Sequence, residues 1–212
     1  MTPVLHAVAV GRPLEVAGPR EGDTTRTAIW KERVEGPVEV GPENLAGDEQ
    51  ADRVHHGGPE KSVYAYAEED LAWWRAELGA LDDQVFGQNL TTAGYELSGA
   101  VVGERWRLGT AELEVVQPRT PCFKLGLRAG HRGMPRRFTA ANRPGAYLRV
   151  VRTGVLAAGA ALIVVDRPAH GVTVADVFAI VHHERDRAAR LLDVPSLPTR
   201  YHDWARERLT HR

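Results

Sequence analysis

Cys122 is the chain's sole cysteine and stands in Arg119-Thr120-Pro121-Cys122-Phe123-Lys124-Leu125. Positive charge on both sides favours the thiolate, which makes the sulfur a better nucleophile or metal ligand. Pro121 has no N–H for a strand ladder and a fixed φ, so the strand ahead of it should end there. The sulfur is then displayed at the mouth of a strand. Three uses stay open: a soft ligand for a metal, a sulfur carrier or attacking nucleophile, and a small buried hydrophobe.

Other residues of chemical interest surround it in the sequence. Arg119, Lys124, Arg128, Arg132, Arg136, Arg137 and Arg143 form a basic stretch, and arginine grips phosphate in a bidentate fork. Arg136 and Arg137 read as a solvated helix face, whereas Arg119 and Lys124 flank the sulfur. Lys31 and Arg26 join them if their strand borders the same mouth. In His55-His56-Gly57-Gly58, Gly57 and Gly58 let backbone approach a ligand and offer N–H groups as an anion nest. His56 can donate a proton near neutral pH, and Lys61 can hold a phosphate. The plainer reading of this segment is a turn before a strand at 62–66. Adjacent His55 and His56 face opposite ways on a strand and lack a third partner, so no zinc site is expected. His182-His183-Glu184 lacks the metalloprotease spacing. Gly47-Asp48 suits a turn. Asp52 can brace an arginine or donate a proton, and Asn89 can bind a ring edge or cap a turn.

The bulk properties narrow the field. A chain of 212 residues supports one substantial core and a small appendage. A net charge of −1 argues against a broad nucleic-acid-binding surface. No apolar run approaches the length of a membrane span, and Met1-Thr2-Pro3-Val4-Leu5-His6 has no signal-peptide pattern. Cytoplasmic location is the default. One cysteine rules out an intrachain disulfide and a four-cysteine cluster.

The elements that must position these residues fall into two regimes. Up to about Pro168, short strands alternate with glycine and proline turns. Strands are expected at 4–10, 25–30, 104–108, 112–115, 146–151 and 161–165, the last buried on both faces by its unbroken apolar run. Gly109-Thr110 marks a hairpin turn. Helices are expected over 68–78, with Leu71, Trp74 and Leu78 on one face, and over 135–142. Trp73-Trp74 reads as core packing. From Gly171 on, three short helices are expected, the first opening on a Thr173–Asp176 capping box, the second over 184–192 and the third ending near Leu209. The domain division is therefore 1–168 and 171–212, and many short strands favour a barrel or sandwich.

The cysteine heptapeptide resembles the motif of MOSC domains, named after the C-terminal domain of molybdenum cofactor sulfurase. Ala28-Ile29-Trp30-Lys31, Asn44-Leu45-Ala46-Gly47-Asp48-Glu49-Gln50-Ala51-Asp52, His55 to Lys61 and Phe86-Gly87-Gln88-Asn89-Leu90 are similar, in order, to the YiiM-type branch. With the tail, the resemblance covers nearly the whole chain. It implies a mainly β fold: a closed antiparallel barrel with inserted helices and a C-terminal three-helix domain. It implies a molybdenum cofactor, Mo-molybdopterin, with Cys122 as metal ligand and no need for pyridoxal phosphate. Cys122, His56 and Asp52 would be catalytic. Gly57, Gly58, Lys61, Asn89, Arg119, Lys124 and Lys31 would hold the cofactor. The implied reaction reduces N-hydroxylated compounds, such as hydroxylamino-purines, to amines. The sequence has no iron–sulfur, haem-attachment or G-x-G-x-x-G motif, so electrons would come from an external flavoprotein reductase. No nucleic-acid or membrane partner is expected, and a homodimer is compatible. The rival is a non-catalytic carrier of the cofactor or its sulfur.

Overall fold

Alternating burial builds the sheet from its hairpin outward. β8 (Arg105–Leu108) and β9 (Ala111–Pro118) pair through Gly109-Thr110, so that Trp106 faces Leu113 in the core while Arg105 and Arg107 oppose Glu114 and Glu112. The computed structural model describes residues 2–52 and 57–210. β1 (Val4–Val10) has the bounds expected from sequence, and β2 (Leu14–Ala17) pairs with β3 (Thr24–Thr27) as a separate ribbon. Two short strands follow, β4 (Glu32–Arg33) and β5 (Val38–Val40).

β6 (Val63–Ala67) is buried along its whole length because both of its faces are covered. Val63, Ala65 and Ala67 enter the main core, whereas Tyr64 and Tyr66 enter an aromatic cluster with Trp74, Phe86 and Phe138. α1 (Glu68–Leu78) crosses from β6 to β7 (Leu90–Ala93), which lies parallel to β6, as such a crossover requires. Leu71 and Trp74 are the buried face of α1, and the Trp74 indole N–H donates to the Tyr66 hydroxyl at 2.8 Å.

Beyond β9 come α2 (Phe123–Arg128), which the sequence pattern does not announce, and α3 (Met134–Ala141). β10 (Ala146–Arg152), β11 (Gly154–Leu156) and β12 (Leu162–Asp166) complete the strands. The large sheet has the order β12-β8-β9-β10-β6-β7-β1-β4, and β5 pairs with β11 apart from it.

The expected closed antiparallel barrel does not form. The fold is mixed α/β with open sheets. β12 forms no ladder with β1; the chain just ahead of β12 meets β1 at the bridge between Val4 and Ala161, with Leu5 N–H donating to the Ala160 carbonyl at 2.8 Å, Gly159 N–H to the Leu5 carbonyl at 2.7 Å and Leu162 N–H to the Pro3 carbonyl at 2.9 Å. β1 makes its ladders with β7 and β4, and the sheet order ends at β12 on one side and β4 on the other. The expectation for β12 fails with it. As an edge strand it buries Leu162, but Ile163 and Val165 remain 42% and 40% exposed because nothing covers their face.

The tail packs on the same core. α4 (Val174–His182) opens on the expected capping box: the Thr173 hydroxyl accepts from Asp176 N–H at 3.0 Å, and the Asp176 carboxylate accepts from Thr173 N–H at 3.0 Å. The next segment, Arg185–Asp193, is a 3-10 helix, and α5 (Thr199–Thr210) follows. Val177, Ile180, Leu191, Tyr201 and Ala205 join the cluster formed by the sheet. Among the described residues, no helix is long and apolar enough to cross a membrane. Thr173→Ala should lower unfolding free energy by about 1 kcal/mol in a urea titration, the usual cost of a lost N-cap.

Candidate functional site

β9 ends at Pro118, and the chain then crosses the rim of the sheet to start α2, with Cys122 in extended conformation at the helix start. Leu125 is fully buried, and its N–H donates to the Cys122 carbonyl at 3.0 Å, which pins the loop. The Cys122 sulfur is unbridged and partly exposed. It opens into a cleft of about 640 Å³ of empty space, counted out to its mouth. Lys31, Asp52, Lys61, Asn89, Arg119 and Lys124 line that cleft with it, although they come from segments far apart in the sequence.

Each wall has its own support. Gly87 has φ +63, and a Cβ there would sit 2.5 Å from the Ile29 side chain and 2.8 Å from its carbonyl oxygen, so only glycine lets these two segments meet. Lys31 and Asp48 form an ion pair with side chains 8% and 4% exposed. Asp48 also accepts from Gly11 N–H at 2.8 Å. Burial holds the Lys31 ammonium below its ordinary pKa; Asp48 opposes that shift and the Arg119 charge adds to it. Burial likewise lowers Lys61, helped by Arg200 and opposed by Glu60, Asp52 and Cys122.

Arg119 is buried and donates inward to the Phe86 carbonyl, with its guanidinium 4.9 Å from the centre of the Tyr64 ring. It is a fixed charge in the floor. Tyr64 and Tyr147 also line the cleft, and burial pushes both phenols up, so they stay neutral.

Some expected roles change. The Asn89 amide is engaged by backbone: its oxygen accepts from Tyr64 N–H at 3.1 Å, and its NH₂ donates to the Ala9 carbonyl at 3.2 Å. It therefore holds β6 beside the start of β7 and the end of β1. Gly57 and Gly58 do not line the cleft. Gly58 N–H donates to Gln50 at 2.8 Å, and Gln50 also donates to the Lys61 carbonyl at 3.1 Å, so this glycine turn is a clamp on Lys61 rather than an open anion nest. His55 and His56 lie outside the described residues. The basic stretch does not close into a ring. Arg128 pairs with Asp82, Arg132 with the Pro19 carbonyl and Arg143 with Asp70; Arg26 does not line the cleft.

A family model for the MOSC domain matches residues 52–163, a little over half of the chain. The chain belongs to the MOSC domain family. It is 35% identical to YflK of Bacillus subtilis (strain 168) over 77% of this chain and 75% of that protein. A Gibberella moniliformis (strain M3125 / FGSC 7600) protein named "Reductase" is 32% identical over 97% of this chain but 37% of its own length. The crystal structure of YiiM from Geobacillus stearothermophilus superposes with TM-score 0.80 at 28% identity, covering 98% of this chain and 99% of that one.

The MOSC match contains Asp52, Lys61, Asn89, Arg119, Cys122 and Lys124 but not Lys31 or Asp48. The cleft of this MOSC protein is thus closed by chain that precedes the matched segment. Asp48 reads as a turn residue in sequence because its partner lies 17 positions away.

The Lys31–Asp48 pair makes a pH-dependent prediction. Because Lys31 titrates below its ordinary 10.5 when folded, its charge costs stability at low pH. That cost shrinks as pH rises through the lowered value towards 10.5. Asp48→Asn lowers the folded value further. It should destabilise by about 3–5 kcal/mol at pH 6, the scale for breaking a buried pair, with partial recovery by pH 9. Urea unfolding at the two pH values measures this, and an equal deficit at both would contradict it.

Proposed function

We propose that the cleft binds a molybdenum cofactor through Cys122 and that the protein is an oxidoreductase reducing N-hydroxylated compounds, such as hydroxylamino-purines, to amines. The observation that carries this reading is the sole cysteine, partly exposed, in a cleft whose lining includes Lys31, Lys61, Arg119 and Lys124. Soft sulfur suits a metal already bound by sulfur, and lysine and arginine suit a phosphate. The donor set therefore fits a metal dithiolene carrying a phosphate monoester. MOSC membership and a relative named as a reductase support the same reading.

In this assignment Cys122 is the metal ligand, and Lys61 and Lys124 face the phosphate end. Arg119 is a buried counter-charge that orients the loop, since its donors point inward. Lys31 stays with Asp48, and Asn89 shapes the floor. Asp52, on the cleft wall, moves protons at the substrate nitrogen and oxygen, with His56 as the second proton donor. When bound, the cofactor supplies the two-electron step. The balance is one N–O bond broken, two electrons and two protons taken up, and one amine and one water released. A lone cysteine offers no thiol pair for internal reduction, so a separate flavoprotein reductase supplies the electrons.

Cys122→Ser, made in a host that synthesises the cofactor, should lose bound molybdenum while keeping its thermal melt. Equal molybdenum in variant and wild type would sink the ligand assignment. Loaded wild type should form at most about one amine per molybdenum without reductant, and many with NADH plus reductase or with dithionite. Loaded protein that forms no amine under any reductant would point to a cofactor carrier instead.

A further inference from the structure

The tail meets the two loops behind the cleft through Arg200 and Tyr201. Arg200, on the first turn of α5, donates to the side-chain oxygen of Gln117. Gln117 is 1% exposed, and its NH₂ donates to the Glu60 carbonyl at 3.0 Å. That chain of contacts ends one residue before Lys61. The Arg200 guanidinium also lies 3.9 Å from the Glu60 carboxylate and 4.8 Å from the centre of the Tyr201 ring. Tyr201, in turn, interacts with the Thr120 side chain in the cysteine loop. The first turn of α5 therefore touches both loops that present Lys61 and Cys122.

The contact also brings a charge close to the Glu60–Lys61 turn. Lys31 is neutralised by Asp48, which leaves Lys61, Arg119 and Lys124 against Asp52 and Glu49 among the described lining residues. The excess is one positive charge. Arg200 is near enough to act on both Lys61 and Tyr147, and Tyr147 lines the cleft. Its side chain is half exposed, so water screens part of that charge and the effect on the cleft is modest.

We propose that α5 completes the anion-binding mouth of the cleft. Arg200 is a positioning residue that steadies the Glu60–Lys61 turn through Gln117, and its charge beside Lys61 draws a phosphate monoester towards Cys122. The choice of ligand rests on the function proposed above; the charge placement does not.

The single cysteine gives a site-specific readout without cofactor. Alkylation of Cys122 by anionic iodoacetate and neutral iodoacetamide is compared at low ionic strength, as the ratio of the two rates, so that the thiolate fraction cancels. Arg200→Ala should lower that ratio by about twofold, the scale of one charge removed at roughly 10 Å in a largely aqueous mouth. It should also raise the inorganic phosphate concentration that half-protects Cys122 by about fourfold. Arg200→Lys should keep most of the ratio. Arg206→Ala, which removes an exposed charge paired with Asp203 on the same helix, should leave it unchanged. If Arg200→Ala does not fold, Arg200→Gln carries the loss, and Glu60→Gln should raise the ratio. A ratio in Arg200→Ala or Arg200→Gln equal to wild type, with the half-protecting phosphate concentration unchanged, overturns the proposal. Molybdenum absent from wild type would sink the cofactor reading but would not move this ratio.

Discussion

The buried guanidinium of Arg119 is the fixed point around which the cleft is built. It leaves β9 just before the cysteine loop, donates to the Phe86 carbonyl and lies over the Tyr64 ring. Those contacts join the end of one strand, the turn that carries Gly87 and the buried strand β6. A charge so placed cannot be left unpartnered without heavy desolvation cost. The inward hydrogen bond and the aromatic face partly offset that cost, and they hold the loop that presents Cys122. Burial lowers the pKa of Lys31 and this charge adds to the shift; Tyr147 feels it as well.

An electrostatic arrangement follows from this. One cation in the floor is fixed, one is neutralised by Asp48, and Lys61 and Lys124 line the cleft beside Glu49 and Asp52. Such a lining favours an anion that brings its own charge into the cleft, while the sulfur offers a soft donor to a metal. The Gln50 clamp on the 58–61 turn and the Asn89 amide between strands fix the walls.

Local patterns in the sequence were legible, and long-range ones were not. A short apolar run located β1 and helical spacing located α1 at their observed bounds, and the Thr173–Asp176 box marked the start of α4. Barrel closure was not legible, because it depends on which edges pair at long range. An apolar run such as 161–165 does not distinguish a central strand from an edge. Cys122, Lys61, Arg119 and Lys124 were found because their residue types stand out locally, and the cleft does bring them together. Asp48 as a partner for Lys31, and Arg200 as a neighbour of Lys61, leave no local trace: Arg200 meets Gln117 across 83 positions. In the Gly57-Gly58 turn, the Gln50 side chain bonds Gly58 and the Lys61 carbonyl, a long-range contact that the glycine pattern does not announce.

The central claim is that Cys122 gives its sulfur to a cofactor-bound molybdenum. X-ray absorption at the molybdenum edge counts sulfur ligands directly in protein purified from a cofactor-synthesising host. The account predicts one more sulfur in wild type than in residual metal retained by Cys122→Ser. Identical sulfur counts in the two proteins would contradict it.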